Sequence, residues 1–246
     1  MLIKACLNGT REPGEHPRLP VAPTQLAADA QACVEFGAEA LHVHPRDDGG
    51  RESLTAEAVA KAVAAIRQSC PDIPIGVTTG GWIVPDPDQR AALITGWAEL
   101  GADSRPDFAS VNISEPGAEQ VAAILLDAGI DLEIGIWEPE DPPRLAASRL
   151  ASRAIRLLVE PLSTDPEAAV RSADSLVASL LPLADDTPLL VHGRDAAAWP
   201  VLEWAVDHEH DTRIGLEDTL ELPDGVITLD NAALLAAAHA YRIEPH

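Results

Sequence analysis

The feature that most constrains the fold of this sequence is a repeated alternation of short apolar segments with longer amphipathic segments. The short segments are rich in β-branched and aliphatic residues and predict strands, whereas the longer ones are rich in Ala and Leu at helical spacing. The eight predicted strands are IKACLN, ALHVHP, PIGVTT, FASVNI, LEIGIW, IRLLVE, PLLVHG and TRIGLE. Strict alternation of this kind indicates a parallel sheet covered by helices.

The helical segments lie between these strands and after the last one, with examples over residues 24–38, 55–69, 117–129, 165–181 and 231–242. Thr24, Thr55 and Asp165 are the expected N-caps of three of them. An open doubly wound sheet typically carries a GxGxxG turn after its first strand, and this chain has NGTR there. Eight strand–helix units within 246 residues therefore predict one (β/α)8 TIM barrel that forms a single domain over residues 1–246.

The composition restricts the partners of the chain. The formal net charge is −23, which opposes binding to nucleic acid and to anionic membranes. No apolar run approaches the roughly 20 residues of a membrane-spanning helix, and the segment MLIKACLNGT has no basic leader followed by a long apolar stretch. The three cysteines form no CxxC pattern and are expected to be free buried thiols. We therefore expect a cytoplasmic protein that binds neither nucleic acid nor membrane.

Reactive side chains collect at the predicted C-terminal ends of the strands. In TIM barrels the chemistry takes place at this end, on the last strand residues and the loops that follow them. Polar or ionisable residues lie on or just after seven of the eight strands: His42, His44, Thr78, Thr79, Ser110, Asn112, Glu133, Glu160, His192, Arg213, Glu217 and Asp218. This convergence predicts a functional site at the C-terminal mouth of the barrel.

The HxH pattern of strand two predicts a metal site. His42 and His44 are two residues apart, so on a strand both side chains point to the same face. Two neutral imidazoles and one carboxylate form a three-ligand site with an open position, which is typical of catalytic zinc or ferrous iron. Glu217 supplies that carboxylate from strand eight, which closes the barrel near strands one and two. The alternative is a pair of structural histidines, and the strand context disfavours it.

Two other kinds of barrel enzyme are excluded by the residues present. Amidohydrolase-type sites place HxH on the first strand and further histidines on strands five and six, but LEIGIW and IRLLVE contain none. A Schiff-base aldolase requires a lysine that projects into the mouth. Lys4 lies near the N-terminal end of strand one and Lys61 lies in a helix, so neither residue meets this requirement.

Strand eight also carries a candidate base. Asp218 follows Arg213 closely, and a carboxylate beside a guanidinium stays ionised and is oriented by a charge-assisted hydrogen bond. The functional interpretation is a general base that Arg213 positions, and the alternative is a structural salt bridge at the end of a strand. The TTGG tract over residues 78–81 offers backbone N–H groups and hydroxyl groups to an anion or a carbonyl oxygen.

Five short motifs occur along the chain in one order: HVHPRD (42–47), TTGG (78–81), SVN (110–112), VHG (191–193) and RIGLED (213–218). A barrel with these motifs resembles the β-keto acid cleavage enzymes. The resemblance implies a reaction in which a β-keto acid and acetyl-CoA become acetoacetate and a new acyl-CoA. It also implies a Zn²⁺ ion that His42, His44 and Glu217 hold as a Lewis acid, with Asp218 as the base and Arg213 as its partner.

The resemblance further implies that Thr78, Ser110 and Asn112 bind the substrate. The residue that faces the variable end of the substrate is Arg11 or, with a gap of one residue, Glu12. Arg11 predicts a distal group that is neutral or anionic, because a guanidinium cannot lose its proton to accommodate an ammonium. Members of the family commonly form homo-oligomers, and we expect one here.

Two alternative functions remain open from the sequence. The first is a metal-dependent lyase or hydrolase that does not use coenzyme A. A glycine-rich stretch is expected after strand six from the resemblance, whereas this chain has EPLS over residues 160–163. The second is a binding or regulatory barrel that retains the metal and lacks the chemistry.

Overall fold

A computed structural model describes the backbone of residues 1–243 and the side chains of residues 1–241. Within these residues eight strands form one sheet: β1 (Ile3–Cys6), β2 (Ala40–Val43), β3 (Ile75–Thr78), β4 (Phe108–Asn112), β5 (Asp131–Ile136), β6 (Ala154–Val159), β7 (Leu189–Val191) and β8 (Thr212–Ile214). They alternate with eight α-helices: α1 (Pro23–Glu35), α2 (Ala56–Ser69), α3 (Pro87–Thr95), α4 (Ala118–Asp127), α5 (Asp141–Ser148), α6 (Pro166–Ala184), α7 (Ala198–Asp207) and α8 (Asn231–Ile243).

The sheet has the order β7-β6-β5-β4-β3-β2-β1-β8, and all neighbouring strands run parallel. A parallel bridge between Leu190 and Asp211 joins the two ends of this order and completes the ring. The predicted single-domain TIM barrel is therefore confirmed. Residues 244–246 of the predicted domain lie outside the described residues.

The two-residue period of the strands separates the helix-facing side from the barrel interior. Apolar residues such as Ile3, Ala5 and Leu41 are buried in the hydrophobic core, which also contains the apolar faces of the helices. Lys4 lies on the opposite side of β1, where it reaches Glu133 of β5 across the barrel. The interior of the barrel is therefore available to polar and charged side chains.

Two of the three predicted helix caps are confirmed. The side chains of Thr55 and Asp165 accept hydrogen bonds from backbone N–H groups in the first turns of α2 and α6. The prediction for Thr24 is wrong, because α1 begins one residue earlier, at Pro23. Pro23 suits the first helical position, and the side chain of Gln25 accepts the backbone N–H of Ala22 at 2.8 Å.

The strands end earlier than the sequence pattern predicts. The predicted strand TRIGLE includes Glu217, but β8 ends at Ile214 and Glu217 lies on the following turn. A side chain at Gly215 would collide with the backbone oxygen of Cys6, so the chain passes close to β1 here and then turns away. The backbone N–H of Asp218 donates to the Gly215 oxygen at 2.9 Å and closes the turn.

Glu133 does not belong to the C-terminal mouth, contrary to the prediction. Its carboxylate is fully buried inside the barrel and pairs with Lys4 and Arg156. Burial raises the pKa of Glu133, but these two cations outweigh burial and lower the pKa to about 2. The two-residue strand period distinguishes the two faces of a strand, but it carries no information about depth along the barrel.

Two further expectations concern the rest of the chain. Cys6, Cys33 and Cys70 are buried free thiols, as predicted. Over residues 1–243, no helix combines the length and the apolar character that a membrane span requires.

Candidate active site

A cavity of about 400 Å³ opens at the C-terminal mouth of the barrel. All nine side chains assigned to the site from the sequence line it: Arg11, His42, His44, Thr78, Ser110, Asn112, Arg213, Glu217 and Asp218. They lie on or just after five strands: β1, β2, β3, β4 and β8.

His42, His44 and Glu217 converge on one point of this cavity. One potential ligand atom from each residue lies within 4.8 Å of the others. His44 Nε2 is 3.7 Å from Glu217 Oε1, and the two imidazole rings are 5.2 Å apart with their planes at 77°. These separations allow the three side chains to share a single ion.

The chemical state of these residues fits a divalent cation. Within residues 1–241, His42 Nδ1 and Glu217 Oε2 are buried without a hydrogen-bond partner, and such atoms cost stability unless a ligand satisfies them. Burial holds the pKa of His42 well below its ordinary value, so its imidazole is neutral and has a free lone pair. Burial alone raises the pKa of Glu217, but Arg213 and the two histidines lower it, so the carboxylate is ionised. Two neutral imidazoles and a carboxylate are a typical donor set for zinc or ferrous iron.

Asn8 and Arg46 join the segment after β2, which carries His44, to the loop after β1. The Asn8 side chain accepts the His44 N–H at 2.9 Å and donates to the His44 oxygen at 3.0 Å. Arg46 donates to the backbone oxygens of Gly9 and Arg11. The arginine of HVHPRD and the asparagine of NGT therefore have structural roles that the sequence reading did not assign.

Arg213 and Asp218 meet as predicted. Arg213 Nη2 donates to Asp218 Oδ1 at 2.8 Å and to Glu217 Oε1 at 2.8 Å. Burial alone raises the pKa of Asp218, but Arg213 and then His192 lower it below its ordinary value. Asp218 is therefore an ionised carboxylate, and among the described residues its Oδ2 atom has no hydrogen-bond partner. This arrangement suits a base with one oxygen anchored and the other free.

His192 forms the wall behind this pair. Its Nδ1 atom is 3.1 Å from Arg213 Nε, and its Nε2 atom is 3.7 Å from Glu160 Oε2. Glu160 in turn accepts a hydrogen bond from Trp137 Nε1 at 3.1 Å. The sequence placed His192 and Glu160 at the ends of their strands, and only the structure shows that they support Arg213 from the β6–β7 side.

Thr78 and Ser110 are neighbours across β3 and β4 and face the cavity together. Asn112 lies further along β4, and its Nδ2 atom donates to Glu115 Oε1 at 2.8 Å. Glu115 also pairs with the buried Arg90 at 2.6 Å. The orientation of Asn112 therefore depends on an ion pair that no sequence motif revealed.

The two glycines of the TTGG tract do not present free N–H groups to a ligand, contrary to the prediction. The Gly80 N–H donates to Thr78 Oγ1 at 3.0 Å, and the Gly81 N–H donates to Glu115 Oε2 at 2.9 Å. Both glycine donors hold the loop after β3, and Thr78 is the residue of the tract that lines the cavity.

At the rim of the cavity, Arg11 is already paired. Its Nη2 atom donates to Asp195 Oδ1 at 2.7 Å, its Nε atom donates to the Leu216 oxygen at 3.1 Å, and its Nη1 atom is 3.5 Å from Glu15 Oε2. Of the two candidates from the sequence, Arg11 is among the described residues that line the cavity and Glu12 is not. Glu15 and Asp195 also line it and were not anticipated.

A sequence model of the protein family described as beta-keto acid cleavage enzyme matches residues 1–243. The chain belongs to this family. This match confirms the resemblance that HVHPRD and RIGLED indicated. The chain is therefore a β-keto acid cleavage enzyme. A curated relative, the 3-keto-5-aminohexanoate cleavage enzyme of Fusobacterium nucleatum, is 24% identical over 254 residues, which cover 96% of this chain and 88% of that enzyme.

Two solved structures of ObcA share the fold. One is a ternary complex with a C4-CoA adduct and oxalate, with a TM-score of 0.77 and 14% identity over 92% of this chain. The other is a binary complex with oxaloacetate, with a TM-score of 0.72 and 15% identity over 91% of this chain. The matched regions span 64% and 63% of the two ObcA chains. At this identity the likeness establishes the TIM-barrel fold alone.

Proposed function

We propose that this enzyme is zinc-dependent and condenses a β-keto acid with acetyl-CoA, releasing acetoacetate and a new acyl-CoA. The observation that carries the proposal is the set of unpartnered buried atoms, His42 Nδ1, Glu217 Oε2 and Asp218 Oδ2, within the mouth of a barrel of this family. The ObcA structures with a C4-CoA adduct and with oxaloacetate support coenzyme A and a keto acid as the ligand classes.

In this proposal His42, His44 and Glu217 hold one Zn²⁺ ion per chain. When bound, the ion supplies Lewis-acid polarisation for a keto group. The residues prepare the site for it, because burial keeps His42 neutral and Arg213 keeps Glu217 ionised. Neither ligand then has to lose a proton at neutral pH before the metal binds.

Asp218 is the proposed base. Joining the acid to an acetyl group requires removal of a proton from the carbon next to the keto group, and the free Oδ2 atom accepts it. The hydrogen bonds of 3.2 and 2.8 Å from Arg213 hold the other oxygen in place. Arg213 thus orients the base and does not compete for the free oxygen.

The remaining proposed contacts orient the acid. Thr78 and Ser110 bind its carboxylate through their hydroxyl groups, with Asn112 beside them. Arg11 faces the distal end and favours a neutral or anionic group. Because Arg11 already pairs with Asp195, an anionic group has to compete for it, so a neutral polar group is the better match.

The second candidate is a metal-dependent lyase or hydrolase that does not use coenzyme A. It is favoured by the end of β6, where the side chains of Glu160 and Leu162 line the cavity in place of the expected glycines. Side chains at this position leave less room for a second, large substrate than glycines do.

The test is to incubate zinc-reconstituted protein with a panel of β-keto acids and acetyl-CoA, and to detect acetoacetate and acyl-CoA by mass spectrometry. We expect about one zinc per chain and both products from at least one acid. Reactions without acetyl-CoA and reactions with the His42→Ala variant serve as controls. Cleavage that proceeds equally without acetyl-CoA supports the second candidate, and failure to bind metal contradicts both.

We also propose that the enzyme acts in the cytoplasm as a homo-oligomer. The free thiols of its three buried cysteines suit a reducing compartment. The loop after β8 exposes Val226, Ile227 and Leu229, which are apolar side chains of the kind found at subunit interfaces. Sedimentation equilibrium measures the oligomeric state, and a monomer at micromolar concentration contradicts this part of the proposal.

A further inference from the structure

The loop after β2 folds back on itself and returns the chain to the metal-ligand candidates. The Ser53 N–H donates to the Pro45 oxygen at 2.8 Å, and the Asp47 N–H donates to the Arg51 oxygen at 2.8 Å. An antiparallel bridge joins Arg46 to Glu52. Through this short hairpin-like loop the carboxylate of Glu52 arrives beside the imidazole of His44.

Glu52 contacts the side of the His44 ring that faces away from Glu217. Its Oε1 atom is 2.5 Å from His44 Nδ1, whereas His44 Nε2 lies 3.7 Å from Glu217 Oε1. Carboxylate oxygens are acceptors, and Glu52 also accepts from Trp82, so the contact with His44 places the ring hydrogen on Nδ1. The lone pair of this tautomer is on Nε2, the ring nitrogen that faces Glu217.

Trp82 holds Glu52 in this position. Its Nε1 atom donates to both carboxylate oxygens of Glu52, at 3.3 and 3.2 Å. Its ring also stacks on His44, with the centroids 6.1 Å apart and the planes at 24°. Two donors therefore hold the Glu52 carboxylate, the imidazole of His44 and the indole of Trp82.

His42 and His44 differ in the hydrogen-bond partners of their rings. His42 Nδ1 has no hydrogen-bond partner within residues 1–241, while His44 has Glu52 on its ring and Asn8 on its backbone. Among the described residues Glu52 does not line the cavity, and its contact with the metal-ligand candidates is the one to His44 Nδ1.

We propose that Glu52, held by Trp82, is a positioning residue that fixes the Nδ1–H tautomer of His44 and thereby sets the affinity of the site for its metal. This inference rests on the proposed metal site and adds a residue to it that the sequence motifs do not contain. Removing such a carboxylate partner of a ligating histidine typically lowers metal affinity about 10–100-fold.

The first experiment measures zinc affinity by competition with a chromogenic chelator. Glu52→Ala should bind zinc about 10–100-fold more weakly than the wild type. Glu52→Gln should lose less, because an amide oxygen still accepts the hydrogen bond, and Trp82→Phe should lose least. The matched control is Asp48→Asn, which removes one carboxylate from the same loop at a site whose side chain is 96% exposed. Its zinc affinity should equal that of the wild type.

A second measurement separates positioning from general damage to the fold and needs no metal. Two-dimensional ¹H–¹⁵N NMR of ¹⁵N-histidine-labelled protein should show the Nδ1–H tautomer for His44, with the signal assigned by its loss in His44→Gln. In Glu52→Ala this tautomer preference should disappear while the signals of the buried His16, which bonds the Thr228 oxygen at 3.0 Å, stay unchanged.

Each outcome decides the inference. Weaker zinc binding in Glu52→Ala together with the changed His44 tautomer supports it. Wild-type zinc affinity in Glu52→Ala overturns it and leaves the proposed metal site standing. Absence of zinc binding in the wild type overturns the metal site and this inference together.

Discussion

Two clusters of buried charges lie inside the same barrel, and they differ in how completely they are paired. The interior cluster consists of Lys4, Glu133 and Arg156, and both oxygens of Glu133 accept hydrogen bonds from the two cations. The mouth cluster consists of Arg213, Glu217 and Asp218. Here one guanidinium serves two carboxylates, and within the described part of the chain each carboxylate keeps one buried oxygen without a partner.

The comparison shows that burial of charge does not by itself mark a functional site. A buried ion pair with all its carboxylate oxygens satisfied contributes to a specific fold. Buried oxygens left without partners cost stability, and such a cost is typical of sites that receive a ligand. Both clusters contain carboxylates and cationic side chains, so their residue types do not distinguish them. They differ in whether every carboxylate oxygen has a hydrogen-bond partner.

The largest expected effect is on the mouth cluster. Glu217→Ala removes a metal-ligand candidate, so we expect loss of bound zinc and a fall of turnover to background, while the interior cluster keeps the barrel folded. Elemental analysis, turnover and circular dichroism of the same preparation measure the three quantities. A variant that retains one zinc per chain would show that Glu217 is not a ligand.

Asp218→Asn tests whether Asp218 and Glu217 have different roles within the mouth cluster. It removes the proposed base but no metal ligand, so we expect turnover to fall about 10²–10⁴-fold with zinc content unchanged. Turnover is measured at saturating metal by mass-spectrometric detection of acetoacetate and acyl-CoA. Loss of zinc would instead assign Asp218 to the support of the metal site, and full activity would reject its role as base.

Glu133→Gln tests the interior cluster. The substitution leaves Lys4 buried without its counter-charge, so we expect the free energy of unfolding to fall by about 3–5 kcal/mol. Urea denaturation measures it. The control is Glu167→Gln, which breaks an exposed pair with Arg171 and should change stability little. Equal stability of the Glu133 variant and the wild type would contradict the structural role of this cluster.

The lowered pKa of Glu133 predicts how the difference in stability between the wild type and Glu133→Gln changes with pH. The pKa of Glu133 is lowered from 4.5 to about 2 in the folded protein, so its contribution to stability is fully present above pH 4.5. That contribution is lost as the pH falls from 4.5 toward 2. The difference in stability between wild type and Glu133→Gln should therefore shrink over this range. A difference that stays constant, or one that grows in acid, would be inconsistent with the lowered pKa.

The smallest expected effect is at the rim of the cavity. The wild type should prefer a β-keto acid with a neutral or anionic distal group to one with an ammonium, and Arg11→Glu should shift this preference by about tenfold, or about 1.4 kcal/mol. The shift is modest because Asp195 and Glu15 already offset the charge of Arg11. Ratios of kcat/KM for matched substrates measure it. If the wild type instead prefers the β-keto acid that carries the ammonium, the assignment of Arg11 is wrong.

The sequence by itself determined the barrel and the residues of the candidate metal-ligand set. Alternation of strands and helices leaves few topologies other than a parallel sheet covered by helices. His42 and His44 are two residues apart, so the strand period directs both side chains to the same face. Arg213 and Asp218 are five residues apart, so their contact forms within one short segment of the chain. Each of these features depends on residues close together in the chain.

The tertiary structure decided which distant residues meet. Closure of the ring brings Glu217 from the turn after β8 to His44, and a folded-back loop brings Glu52 to the other side of the same ring. The strand period could not separate Glu133 from the mouth, because it defines a face and not a depth. Loop paths and depth depend on hydrogen bonds and packing between residues far apart in sequence, which local patterns do not encode.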